Sequence, residues 1–162
     1  MKNLLIAVGI LTWALSAMAQ EKYSKTELFG GYQFTHLGPS LNANGWNAAV
    51  TGNLNRWWGV TADFSGSYKG PGHMHTFMFG PAFAVRTKRV TPFVHALFGG
   101  ATIGDGGGSG GAFSMGLGGG MDVNAGNHLA LRLLQADWLL LHAGGDTAKK
   151  NVRVSTGLVF RF

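Results

Sequence analysis

From Asn151 to Phe162 the chain alternates in register. Val152, Val154, Thr156, Leu158, Phe160 and Phe162 fall on one parity; Asn151, Arg153, Ser155, Gly157, Val159 and Arg161 fall on the other. Residues i and i+2 share a face only in an extended strand, so the segment has an apolar side and a mostly polar side. Seven earlier segments repeat the pattern, within residues 27–34, 46–54, 58–68, 77–86, 91–98, 113–123 and 128–134. Their apolar faces carry no charged residue. The opposite faces carry Glu27, Asp63, Arg86, Asp122, Arg132, Arg153 and Arg161.

Composition decides which face looks inward. Only 12% of the 162 residues are charged, while 46% are hydrophobic and 27 are glycine. A water-soluble domain needs more charge than this to cover its surface. Outside residues 4–19 the chain holds no long apolar run, which excludes a helical membrane protein. Eight alternating segments of about ten residues match tilted membrane strands and the smallest even-numbered barrel. The sequence therefore predicts an all-β fold, an eight-stranded antiparallel up-and-down transmembrane β-barrel. The uncharged face must look outward, because Arg or Lys at mid-depth in lipid costs about 2–4 kcal/mol. Glycine suits the inner wall, where large side chains on every strand would not fit.

The first residues read as an address. Met1-Lys2-Asn3 is a positive head, Leu4 to Leu15 an apolar run, and Ala17-Met18-Ala19 a small-x-small cleavage pattern. Residues 1–19 are expected to be a cleaved signal peptide, with Ala17 and Ala19 marking the cut and residues 20–162 forming the barrel domain. The chain has no cysteine, so lipid attachment through cysteine and disulfides are both excluded.

The connections are expected to alternate in length. Residues 55–57, 87–89 and 124–127 read as short turns, on the periplasmic side with both termini. Residues 37–45, 69–75, 99–112 and 139–150 read as longer outer loops. Tyr32, Trp46, Trp57, Trp58, Tyr68 and Trp138 lie near strand ends, where aromatic girdles form. In the fifth strand Phe93 and Leu97 are predicted to point inward. Asp137 falls on the lipid side by parity, so it must sit above the hydrocarbon or follow a bulge that shifts the register.

Leu28-Phe29-Gly30-Gly31-Tyr32, Thr61-Ala62-Asp63-Phe64-Ser65-Gly66 and Thr91-Pro92-Phe93-Val94 carry a family resemblance. So do Gly118-Gly119-Gly120-Met121-Asp122 and Leu158-Val159-Phe160-Arg161-Phe162. Over its whole exported length the chain resembles the small outer-membrane β-barrels, the group of OmpX, the opacity proteins and the transmembrane domain of OmpA. The resemblance implies location in the cell outer membrane. It also implies that Leu158, Phe160 and Phe162 are the signal read by the barrel-assembly machinery during insertion.

Candidate chemistry falls in four places. Glu27, Asp63, Asp122, Arg132 and Arg161 are expected to form an ionic network in the lumen, since buried charges need partners. That network would fix register and plug the barrel; a narrow channel is the alternative, and would need a continuous wet column. His73-Met74-His75 puts two imidazoles on one strand face, which is too few ligands for a metal site. No metal or cofactor is expected. A lipid A- or phospholipid-modifying enzyme would need a nucleophile, a base and an acid converging at the rim. His142 with Asp146, or His36 with Ser40, are the only pairs that suggest one, and neither forms a motif.

The formal charge of +6 splits between two ends. Lys69, Lys149, Lys150 and Arg153 are placed at the outer rim, near lipopolysaccharide-type phosphates. Arg56, Arg86, Lys88 and Arg89 are placed in periplasmic turns near phospholipid head groups. Partners are therefore outer-membrane lipid, with no nucleic acid, and the barrel is expected to be a monomer. Gly116 to Gly120 is no phosphate loop, because no lysine or helix follows. The function that fits is a structural or surface-interacting, adhesion-like role.

Overall fold

A computed structural model describes residues 23–38, 40–105 and 107–162. The proposed signal peptide and its cleavage site at Ala17 and Ala19 lie outside the described residues. Eight strands follow in chain order: β1 (Thr26–Leu37), β2 (Leu41–Asn53), β3 (Trp58–Lys69), β4 (Gly72–Ala84), β5 (Val90–Gly104), β6 (Ser109–Asn124), β7 (Leu129–Ala143) and β8 (Asp146–Arg161). Each pairs antiparallel with its sequence neighbour, and β8 pairs with β1, so the sheet is a closed barrel. Closure leaves no strand edge, the only way a sheet can satisfy its backbone inside lipid. The predicted fold class is the observed one.

The alternation has the predicted sense. Phe64, Phe77, Phe79, Val94, Leu117, Leu158 and Phe160 stand exposed on the outer wall. Gln33, Asn47, Asp63, Ser65, Asp122, Gln135 and Ser155 are buried inside. Leu97 is fully buried, and Phe93 packs its ring on the Arg132 guanidinium at 4.2 Å, so both point inward as predicted. Trp57 and Trp58 ring one end of the outer wall. Tyr32, Trp46, Tyr68 and Trp138 ring the other, where the Trp46 indole N–H donates to the Tyr68 hydroxyl at 3.2 Å. Trp58 and Tyr68 are ten positions apart on β3, which for a tilted strand is about 25 Å of height, the span of a membrane-facing apolar band.

The connections depart from expectation. At the end that carries both termini, residues 54–57, 85–89 and 125–128 join strands. At the far end the strands run well past the predicted boundaries and leave only residues 38–40, 70–71, 105–108 and 144–145 between them. The four long loops are therefore mostly strand. Glycine and polar residues masked the strands, because their alternation carries no hydropathy signal. Two-residue hairpins need left-handed backbone, and Gly70 (φ 58°), Gly144 (φ 58°) and Gly145 (φ 93°) supply it. At the terminal end Asn55 Oδ1 accepts from the backbone N–H groups of Trp57 and Trp58, both at 2.7 Å, and sets the β2–β3 turn.

The second departure is in β7. Against β6 the register shifts between Met121 and Asp122, and against β8 between Arg132 and Gln135. A bulge at Leu133 and Leu134 causes both. The two leucines are 45% and 53% exposed, so consecutive side chains face outward and Leu134 is not luminal as strict parity predicts. Beyond the bulge the parity is inverted. Gln135 and Asp137 turn inward, each 1% exposed. Of the two predicted escapes for Asp137, the bulge is the one the chain uses.

Candidate functional site

The lumen is where the chain places its unusual chemistry. Near the terminal end, Glu27 on β1 faces Arg161 on β8 across their pairing, with Arg161 Nε 3.7 Å from Glu27 Oε2. Arg86, from the connection after β4, donates to Glu27 Oε1 at 2.9 Å and to Asn53 Oδ1 at 2.7 Å. Asp122 on β6 accepts from Arg132 at 2.8 and 3.2 Å and from Arg161 at 3.2 Å. Arg161 also donates to Asn124 Oδ1. The Arg132 guanidinium lies between the rings of Phe29 and Phe93, 4.3 and 4.2 Å from their centroids. Stacking between two aromatic faces fixes its plane for the Asp122 carboxylate.

Further along the barrel a second cluster centres on Arg153, which is fully buried. It donates to Asp63 Oδ1 on β3 at 2.7 Å and to Asp137 Oδ2 on β7 at 2.8 Å, and so bridges the lumen. His95 on β5 donates from Nε2 to Asp137 Oδ1 at 2.7 Å. Asn47 donates to Asp63 Oδ2 at 2.9 Å. Gln135 joins the two clusters: its carbonyl accepts from Arg132 at 2.7 Å and its amide donates to Asp137 at 2.8 Å. The result is one ladder of charge along the barrel axis.

All five residues predicted for the network face the lumen. Glu27, Asp122, Arg132 and Arg161 come together, while Asp63 belongs to the second cluster. Arg153 does not sit at the outer rim. The strand that carries it starts at Asp146, so Arg153 stands well inside β8, and its side chain is pulled in by two carboxylates. Arg86 likewise leaves the head-group region to pair with Glu27. His95 was placed inside by parity, but its partner Asp137 was hidden by the bulge. Assigning a bulge wherever parity sends a carboxylate to lipid is the signal that finds it.

Little open space remains beside the ladder. A cavity of about 30 Å³ lies among Glu27, Thr61, Asp63, Asp122, Arg132 and Gln135, enough for roughly two waters. Toward the far end Met78, Leu97 and Leu139 pack as a buried apolar layer. At the terminal mouth Arg56, Arg86, Lys88 and Arg161 line a wide opening of about 780 Å³ with no carboxylate among its lining residues.

The other candidate groups do not assemble. His73 and His75 rings lie 5.6 Å apart, and among the described residues no group of three or more His, Cys, Asp or Glu could hold a metal. His142 Nδ1 bonds Thr147 Oγ1 at 2.7 Å rather than Asp146, and His36 Nδ1 donates to Asn42 Oδ1 at 2.6 Å rather than to Ser40. Neither imidazole is therefore set against the partner an esterase-like site would require.

No protein-family model matches the chain, and no curated protein matches it. Solved structures do match. Neisserial surface protein A has a TM-score of 0.69 and 13% identity, covering 88% of this chain and 100% of that one. The N-terminal β-barrel domain of Pseudomonas aeruginosa OprF gives 0.63 and 11%, covering 87% and 100%. Ail, the attachment invasion locus protein of Yersinia pestis, gives 0.56 and 17%, covering 86% and 99%, in a complex with the heparin analogue sucrose octasulfate. The chain thus has the fold of the small outer-membrane β-barrels.

Proposed function

We propose that this protein is a non-enzymatic outer-membrane β-barrel with a structural role, whose lumen is closed by its own side chains. The observation that carries the reading is Arg153, fully buried and bonded to carboxylates on β3 and β7. An ion crossing the barrel would have to displace that bridge and then pass Met78, Leu97 and Leu139, leaving buried charge unpaired. The apolar outer wall between two aromatic rings supports residence in lipid, and the shared fold supports the outer membrane. In this reading the termini and Arg56, Lys88 and Arg89 lie on the periplasmic side, near anionic head groups. The protein is exported through a cleaved signal and acts as a monomer.

Reconstitution in planar bilayers tests the closed lumen. The expected result is no steady conductance; stable large openings would overturn it and favour the channel reading. Mass spectrometry of lipid A from cells with and without the protein should give identical spectra, and a new lipid A species would revive the enzyme.

Two further elements belong to the proposal. Leu158 and Phe160 on the last strand, and Phe162 directly after it, are all exposed, where the assembly machinery could read them. Deleting Phe162 should lower the amount of folded barrel in cells severalfold, and unchanged levels would remove the assembly role. A contact role at the cell surface is a second reading. It is favoured by Lys69, Lys149 and Lys150 at the far end and by the sulfated sugar bound by Ail, a barrel of the same fold. With turns of two to four residues there, contact would fall on the projecting strand ends.

A further inference from the structure

Inward-facing residues change character along the barrel. Through most of its length the inner wall is polar. Over the last positions before the far-end turns it becomes apolar. Leu37 continues the inward row of Gln33 and Thr35, and it pairs with Leu41. Met74 precedes inward Thr76 and pairs with Ile103; Leu141 follows inward Leu139. Leu41 and Ile103 are 46% and 42% exposed, yet they line the mouth rather than the outer wall. Lipid explains the apolar outer belt. It does not explain an apolar inner wall that opens onto water, and a soluble surface rarely leaves such a patch without an occupant.

These side chains enclose a cleft of about 440 Å³, inside the roughly 300–1,000 Å³ typical of small-molecule sites. Its floor is made by Met74 and Leu141, with the Met78, Leu97 and Leu139 layer further down the same strands. The cleft is therefore a cup that retains rather than conducts. Its rim carries one cation, Lys69, which is exposed and forms no ion pair among the described residues. His73 and Asp105 complete the rim.

We propose that this cup binds a single-chain anionic amphiphile, the chemical class of a free fatty acid, with its hydrocarbon among Leu37, Leu41, Met74, Ile103 and Leu141 and its head group beside Lys69. The closed floor and modest volume suit one chain rather than the several of a membrane lipid, and the mouth opens along the barrel axis. Binding needs only this apolar end of the inner wall. A conducting barrel and a non-binding cup are separate failures, read by separate measurements.

Methionine methyl groups give the test. Met74 lies in the cup and is buried, whereas Met121 is 40% exposed on the outer wall and reports partition into lipid. Barrel carrying ¹³C-methyl methionine, in nanodiscs of zwitterionic phospholipid, is titrated with dodecanoate. The Met74 resonance should shift and saturate, while Met121 drifts without saturating. Ala43→Trp, which fills the cup, should abolish the saturable shift. Lys69→Met should weaken dodecanoate binding about tenfold, the order expected for one charge-assisted contact. Dodecyltrimethylammonium should bind about tenfold more weakly than dodecanoate.

Heat-modifiable migration on gels checks that each variant is folded. Leu141→Asp serves as the cup variant where Ala43→Trp fails that check. Parallel linear drifts of Met74 and Met121 would overturn the site. So would a Met74 shift already saturated by nanodisc phospholipid alone. Equal binding of the cationic amphiphile would overturn the anionic head group.

Discussion

Arg153→Met is expected to destabilise the barrel by about 3–5 kcal/mol, measured by urea unfolding in lipid vesicles. The substitution keeps most of the side-chain volume and removes only the guanidinium. Asp63 and Asp137, each 1% exposed, then lose their shared cation. Asn47, His95 and Gln135 still donate to them, at 2.9, 2.7 and 2.8 Å, but these hydrogen bonds do not replace the guanidinium that the two buried carboxylates share. The triple variant Arg153→Met, Asp63→Asn, Asp137→Asn should recover most of the loss, because it removes the charge along with its partner. A single variant as stable as the parent would mean that water reaches this level of the lumen. The closed-lumen proposal would fall with it, since a wet path at Arg153 is what a channel needs.

Phe79→Arg is expected to cost about 2–4 kcal/mol in the same assay, and Tyr68→Arg only about 0–1 kcal/mol. Phe79 is 64% exposed and sits well inside β4, away from both aromatic rings; Tyr68 stands in the far ring. In a water-soluble barrel both substitutions would be harmless, since an exposed arginine is an ordinary surface residue. Depth dependence thus reports lipid directly. Equal and small effects at both positions would contradict the membrane-facing outer wall.

The parts of this fold that were legible in the sequence share a cause. Period-two hydropathy marks a strand only where one face is apolar and the other is not, and that holds across the lipid-facing band. Phe77, Phe79, Leu158 and Phe160 announce themselves for this reason. Past the aromatic rings both faces of a strand meet water or the barrel mouth, and the contrast disappears. Residues 139–150 and 99–112 then read as loop although they are largely strand in β5 to β8. Closure, strand number and the short turns of the terminal end depend on the legible band and were readable.

The ladder was half legible for a different reason. Parity locates inward charges on regular strands, which is how Glu27, Asp63, Asp122, Arg132 and Arg161 were found. It gives no distances, so it could not say that Asp63 pairs with Arg153 across the lumen and not with the cluster around Asp122. It also fails across a bulge. Leu133 and Leu134 are one apolar pair among many, and nothing local distinguishes them from regular strand. Only the carboxylate three positions later exposes the shift, through the cost of leaving Asp137 in hydrocarbon.

The ladder's formal charges balance over the whole lumen but not level by level. Glu27 and Asp122 stand among Arg86, Arg132 and Arg161, so the cluster near the termini carries one excess positive charge. Asp63 and Asp137 share only one guanidinium, that of Arg153, so in the cluster further out carboxylates outnumber guanidiniums by one. Two opposite charges separated along a low-dielectric tube form an electric dipole along the barrel axis. The cationic mouth of Arg56 and Lys88 extends its positive end. The barrel is thus electrically directional: a field across the membrane acts with opposite sign on its two orientations.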